Sequence, residues 1–89
     1  MKPVLITTEY RGVFAGLLAD DQDITARSMP LQSAKMAIYW GTTHGVMELC
    51  QTGPTSKSKI SSAANIPILH GITAVFDIEP AAWKKWQEA

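Results

Sequence analysis

Two apolar, β-branched runs stand near the start of the chain, Pro3-Val4-Leu5-Ile6-Thr7-Thr8 and Val13-Phe14-Ala15-Gly16-Leu17-Leu18, with only Glu9-Tyr10-Arg11-Gly12 between them. Such runs suit a pleated, half-buried surface, and a short polar link containing glycine lets the chain reverse. An N-terminal hairpin therefore commits the fold to antiparallel pairing from the outset. Gly16, inside the second run, marks a bulge or a close backbone approach.

Other β signals follow. Ile72-Thr73-Ala74-Val75-Phe76-Asp77-Ile78 alternates strictly, which places Ile72, Ala74, Phe76 and Ile78 on one face. Ile24-Thr25-Ala26-Arg27 reads as a short strand closed by Pro30, after an acidic turn at Asp20-Asp21-Gln22-Asp23. That turn lacks the glycine and glutamate of a calcium-binding helical loop. Over residues 31–40 two periods compete. Leu31, Ala34, Ala37 and Ile38 keep helical spacing, whereas Met36, Ile38 and Trp40 keep strand spacing; Ile, Tyr and Trp favour a strand over residues 35–40. Thr43 suits a helix N-cap, and a short helix over 44–51 would align Val46, Leu49 and Cys50 before Gly53-Pro54 ends it. A strand over 46–49 is the competing reading. His70-Gly71 reads as a turn. Pro80 suits the first turn of a closing helix over 81–89, with Ala82, Trp83 and Trp86 on one face.

These elements give an α+β class: a small, mostly antiparallel sheet of about five or six short strands with one or two short helices. The C-terminal helix is too short to stand alone, so it packs on the sheet or on a neighbouring subunit. All 89 residues form a single domain, with neither repeat nor linker.

A chain this short buries only about 60–65% of its unfolded surface, so its core is thin. One cysteine, Cys50, allows no intrachain disulfide, and His44 and His70 show no metal-ligand spacing; no metal or other cofactor is expected. Association of copies is the remaining way to add buried area, and three Trp in so short a chain suit an interface. Tyr39, Trp40, Trp83 and Trp86 are the candidate interface residues. Eight basic and eight acidic side chains cancel, unlike the basic profile usual among nucleic-acid binders. No apolar run approaches the ~20 residues of a membrane span, and Val4-Leu5-Ile6 is too short for a signal-peptide core. Cytoplasmic location with no membrane partner is expected.

Chemistry-bearing residues gather in the polar centre. Thr42, Thr43 and His44 lead into the expected helix, and Ser56, Lys57 and Lys59 leave it. Helix-start amides, hydroxyls and lysines together would suit a nucleotide or another small anion. The run 53–58 lacks the glycine spacing of a phosphate-binding loop. Tyr39 and Trp40 with Lys35, Lys57 and Lys59 would alternatively suit single-stranded nucleic acid. Neither a nucleophile with its base nor an acid–base pair is evident, so an enzyme is not expected.

The stretch Met36-Ala37-Ile38-Tyr39-Trp40-Gly41-Thr42-Thr43-His44-Gly45-Val46-Met47-Glu48-Leu49, with Thr52-Gly53-Pro54-Thr55-Ser56-Lys57-Ser58-Lys59-Ile60 and the ending Thr73-Ala74-Val75-Phe76-Asp77-Ile78 before Ala82 and Trp83, resembles a family of small uncharacterised proteins encoded by tailed phages and prophages. The resemblance implies a phage or prophage source and expression in a bacterial cytoplasm, and it transfers no functional residue. The resulting expectation is a non-catalytic accessory protein, homo-oligomeric, that binds a host protein. Alternatives are sequestration of a nucleotide signal and binding of single-stranded nucleic acid.

Overall fold

The computed structural model describes residues 1–9, 12–40 and 45–89. Among these the chain forms β1 (Lys2–Thr8), β2 (Val13–Leu18), β3 (Ser28–Tyr39), α1 (Met47–Gln51), β4 (Lys59–Ile60), β5 (Ala64–His70), β6 (Ile72–Asp77) and α2 (Pro80–Glu88). The six strands make one antiparallel sheet in the order β4-β3-β2-β1-β6, with β5 also paired to β3. The class is α+β, and the C-terminal helix packs on the sheet. The N-terminal hairpin forms in register from Lys2↔Leu18 to Thr7↔Val13.

One joint gives the sheet its shape. β5 pairs with β3, β6 pairs with β1, and only Gly71 separates them. Across a flat sheet those two strands would lie about 19 Å apart, four spacings of roughly 4.8 Å. A single residue cannot span that gap, so the sheet curls until its two sides meet over the joint. Ile72 N–H donates to Arg27 O at 3.0 Å and Glu9 N–H to Gly71 O at 2.9 Å, which ties the joint to both sides. Gly71 adopts φ +70°, a conformation open to glycine at little cost.

The curled sheet has two apolar faces. Val4, Ile6, Leu18, Met29, Leu31, Ala34, Leu69 and Ile72 fill the inside, and all of them come from strands. Leu5, Val13, Ala15 and Ala37 face the other way, onto Leu49 and Cys50 of α1, Ala82 and Trp86 of α2, and Ile78. β1 is buried on both sides, with Val4, Leu5 and Ile6 each at 0% exposure, so its sequence reads as an unbroken apolar run.

Several expectations need correction. Residues 24–27 turn rather than pair: the Asp23 carboxylate accepts from Thr25 N–H at 2.9 Å and from the Thr25 hydroxyl at 2.6 Å. That local capture offers the backbone an alternative to a ladder. Pro30 lies inside β3 instead of closing a strand. It sits at a register shift, between Met29↔Leu69 and Leu31↔Ile66, where no ladder amide is required of it. A second irregularity follows at Ser33, which has φ +50° and donates its N–H to Asn65 Oδ1 at 2.9 Å. It moves Ala34 to the inside face that Met29 and Leu31 occupy. β3 ends at Tyr39, one residue before Trp40.

The centre of the chain is a helix and not a strand, but a shorter one than expected. Its N-cap is Val46, without a side-chain cap, and Thr43 lies outside the described residues. Leu49 and Cys50 are buried as the spacing requires, with Val46 packed against them. His70 ends β5 rather than turning the chain; Gly71 alone makes the joint. In β6 the alternation changes phase at Thr73. Thr7 faces Ala74 while Thr8 faces Ile72, so Thr73 is an extra residue, and its hydroxyl bonds Thr7 O at 3.0 Å. Ile72 and Val75 consequently share the inner cluster, while Phe76 and Ile78 pack toward the helices. The closing helix carries Pro80 in its first turn as expected and ends at Glu88, one residue before the end the sequence suggested.

Candidate functional site

α2 sets one wall of an open groove, and the exit from α1 sets the loop beside it. Gly53 follows α1 at φ +94° and donates its N–H to Glu48 O at 3.1 Å. A Cβ there would lie 2.9 Å from the Lys85 Cβ and 3.0 Å from Ala82 O. Only glycine fits so close to α2, and this contact brings the following loop alongside Lys85. A groove of about 830 Å3 opens beside the contact, with Ile38, Pro54 and Ile60 as apolar lining and Ser56, Lys59, Lys85 and Glu88 as polar lining.

The loop over 54–58 holds itself in shape. Ser58 N–H donates to Thr55 O at 3.0 Å, Thr55 N–H to Ser58 Oγ at 3.2 Å, and Lys57 N–H to Thr55 Oγ1 at 3.3 Å. Hydroxyls at both ends of the turn are thus engaged within it. Lys59 then enters β4 opposite Tyr39.

The structure sorts the residues singled out by sequence. Ser56 and Lys59 meet on the groove; Lys57 is exposed in the same loop but does not line it. Thr42, Thr43 and His44 lie outside the described residues. Tyr39 is 59% exposed, and Trp40 is half-buried against the helix-side core. Trp83 is half-buried in a recess of about 240 Å3 beside Lys35 and Gln87. Trp86 is no surface residue: it is 0% exposed, and its indole Nε1 donates to Leu49 O at 2.9 Å. An indole needs a partner for its one polar atom when buried, and α1 supplies it.

Lys35 is committed as well. Its Nζ donates to Ala89 O at 2.7 Å and to Gln87 O at 3.2 Å, placing a cation on the carbonyl end of α2. Of the basic and aromatic residues that would suit nucleic acid, Tyr39 and Lys59 are register partners.

Sequence reasoning missed Ile38, Lys85 and Glu88 as groove residues. Lys85 and Glu88 are three apart on α2 and share one side of it, a signal present in the helical spacing. Ile38 is 62% exposed at the end of β3, and with Met36 at 38% and Tyr39 it forms an apolar run on the surface. Cys50 is 7% exposed, and burial pushes its thiol pKa upward, so the thiol is held neutral rather than activated. Among the described residues no three metal-ligating side chains converge, and no helix is long and apolar enough to cross a membrane.

Comparison with curated proteins and with solved structures gives no match. The family profile of a domain of unknown function, DUF6948, matches residues 1–86, all six strands, α1 and all but the last two residues of α2, and the chain belongs to that family.

Proposed function

We propose that the protein is a non-catalytic binding module that self-associates and engages a host protein, as an accessory protein of a phage or prophage working in the bacterial cytoplasm. One observation carries the reading: Met36, Ile38 and Tyr39 expose 38%, 62% and 59% of their surface within four residues of β3. Single apolar side chains on a surface are ordinary, but three large ones exposed close together in one strand, Ile38 of them on the groove, are a sign of an interaction site. Aromatic side chains are enriched at such sites, and half-buried Trp40 extends the run. The resemblance of residues 36–60 to small proteins of tailed phages supports the setting.

The test is capture and size measurement with Ile38→Glu and Tyr39→Ala. Both side chains are exposed, so the fold should survive, and a circular-dichroism melt verifies it. Loss of partner capture from a host lysate with unchanged melting supports the reading. Capture equal to that of the unmodified protein by both variants sinks it.

A second reading, binding of a nucleotide or another small anion, is favoured by the convergence of Ser56, Lys59 and Lys85 on one groove. Calorimetry against a nucleotide panel decides it. Heat that disappears with Lys59→Ala supports it, and no heat with any nucleotide removes it.

A further inference from the structure

Eight basic and eight acidic side chains cancel over the chain, but three acidic ones fall within four positions, with Arg27 four residues further on. Asp20, Asp21 and Asp23 lie in the connection from β2 to β3, ahead of Ser28, the first residue of the strand. The groove meets the same strand at Ile38, near its other end, with Lys59 and Lys85 on its rim against Glu88. β3 has 12 residues, and the molecule measures 31 Å in its longest direction. At roughly 3.3 Å per residue a straight strand of that length would exceed the molecule, so β3 bends at its irregularities, with the acidic connection at one end of it and the groove near the other.

The two ends match in more than charge. In the acidic connection Ile24 is 53% exposed, next to an Asp23 carboxylate that holds the turn through Thr25. A preformed acidic turn therefore presents an aliphatic tip at small ordering cost. The groove presents Ile38, Pro54 and Ile60 between lysines, the complementary arrangement. Asp20 also receives the Met1 amine at 3.1 Å, which leaves Asp21 and Asp23 as the outward charges.

We propose that the groove between β4 and α2 takes the 20–24 turn of a second copy of this chain, so that copies join head to tail. The inference rests on the self-association in the function proposed above and names the surfaces that carry it. A zero net charge means that two copies meet without long-range repulsion. Because donor and acceptor surfaces differ, a joined pair keeps one of each unsatisfied, and the contact propagates into a ring or a filament. The contact is charge-dependent, so it is strongest at low salt.

Sedimentation at an ionic strength of about 10 mM, where the screening length is about 30 Å, tests the inference. The unmodified protein should exceed twice its 9.7 kDa mass as concentration rises, and fall back toward one copy when salt is added. A groove variant, Lys59→Glu with Lys85→Glu, and a turn variant, Asp21→Lys with Ile24→Ser, should each stay at one copy. Mixed together they should stop at two copies, since that pair retains one working contact and no second. All four side chains are exposed, and melting curves verify that each variant is folded. One-copy behaviour of the unmodified protein at every concentration overturns the inference, as does assembly that both variants leave intact. If copies stay single while Tyr39-dependent partner capture persists, this inference fails and the partner-binding reading stands. If assembly follows the pattern above while capture is absent, the outcome is reversed.

Discussion

Trp86 joins three parts of the chain at once: it belongs to α2, packs on the sheet residues Leu5 and Ala15, and donates to a carbonyl of α1. Trp86→Phe keeps an aromatic ring but leaves Leu49 O without its donor. The loss of one buried partner costs about 1–3 kcal/mol. Trp86→Ala adds a cavity and should cost about 3–5 kcal/mol, both read from chemical denaturation. Cys50 supplies a pH dependence. Its folded pKa lies above the ordinary 9.0 because burial disfavours the thiolate. The unfolded chain releases this proton first as pH rises, so the associated stability is complete below 9.0 and is lost on passing up through the folded pKa. Denaturation midpoints should fall more steeply above pH 9.0 in the unmodified protein than in Cys50→Ala. Asp23 behaves oppositely: hydrogen bonds from Thr25 hold its pKa below the usual 3.8, and what it contributes is lost only as pH falls through that lower value.

At the scale of elements, irregularities in the strands direct the fold more than the strands themselves. Gly71→Ala keeps ordinary contact distances, since the nearest atom to the added Cβ is Glu9 Oε2 at 3.5 Å. Its cost is the left-handed backbone, about 1 kcal/mol, and a thermal melt should register it. Lys35→Met removes the cation from the end of α2 and should loosen that helix by about 0.3–1 kcal/mol, seen as faster amide exchange near Trp86. β1, β2, β6 and the closing helix were legible because apolar runs and Pro80 act locally, whereas β4, β5 and the first half of β3 were not read as strands. The N-terminal hairpin follows from two apolar runs about a glycine-containing link, and the face of Leu49 and Cys50 from helical spacing. The phase changes at Ser33 and Thr73 were not legible, because each depends on a partner strand distant in sequence. Pro30 misled for the same reason: its tolerance comes from a register shift against β5, which no local rule contains. The groove was half legible. Ser56 and Lys59 stand out as polar residues beside a helix end, but Lys85 joins them only because Gly53 allows two helices to touch.

For the whole molecule, sheet order decides how the chain folds. β1 pairs with its neighbour β2 and with β6, in contacts such as Val4↔Asp77 that join distant parts of the sequence. Sheets held by such pairings fold in milliseconds to seconds, slower than helical bundles of the same size. Stopped-flow refolding followed by Trp fluorescence should fall in that range, and a microsecond phase carrying the full amplitude would contradict it. The order of the strands also bears on how the protein is made. Val4-Leu5-Ile6 is translated some 70 residues before the strand that covers its second edge. At about 5–20 residues per second, that is roughly 4–14 s during which an apolar edge has only its hairpin partner. A nascent chain with this topology depends on the cell's holding chaperones for those seconds, and its yield should respond to their supply more than its finished stability would suggest.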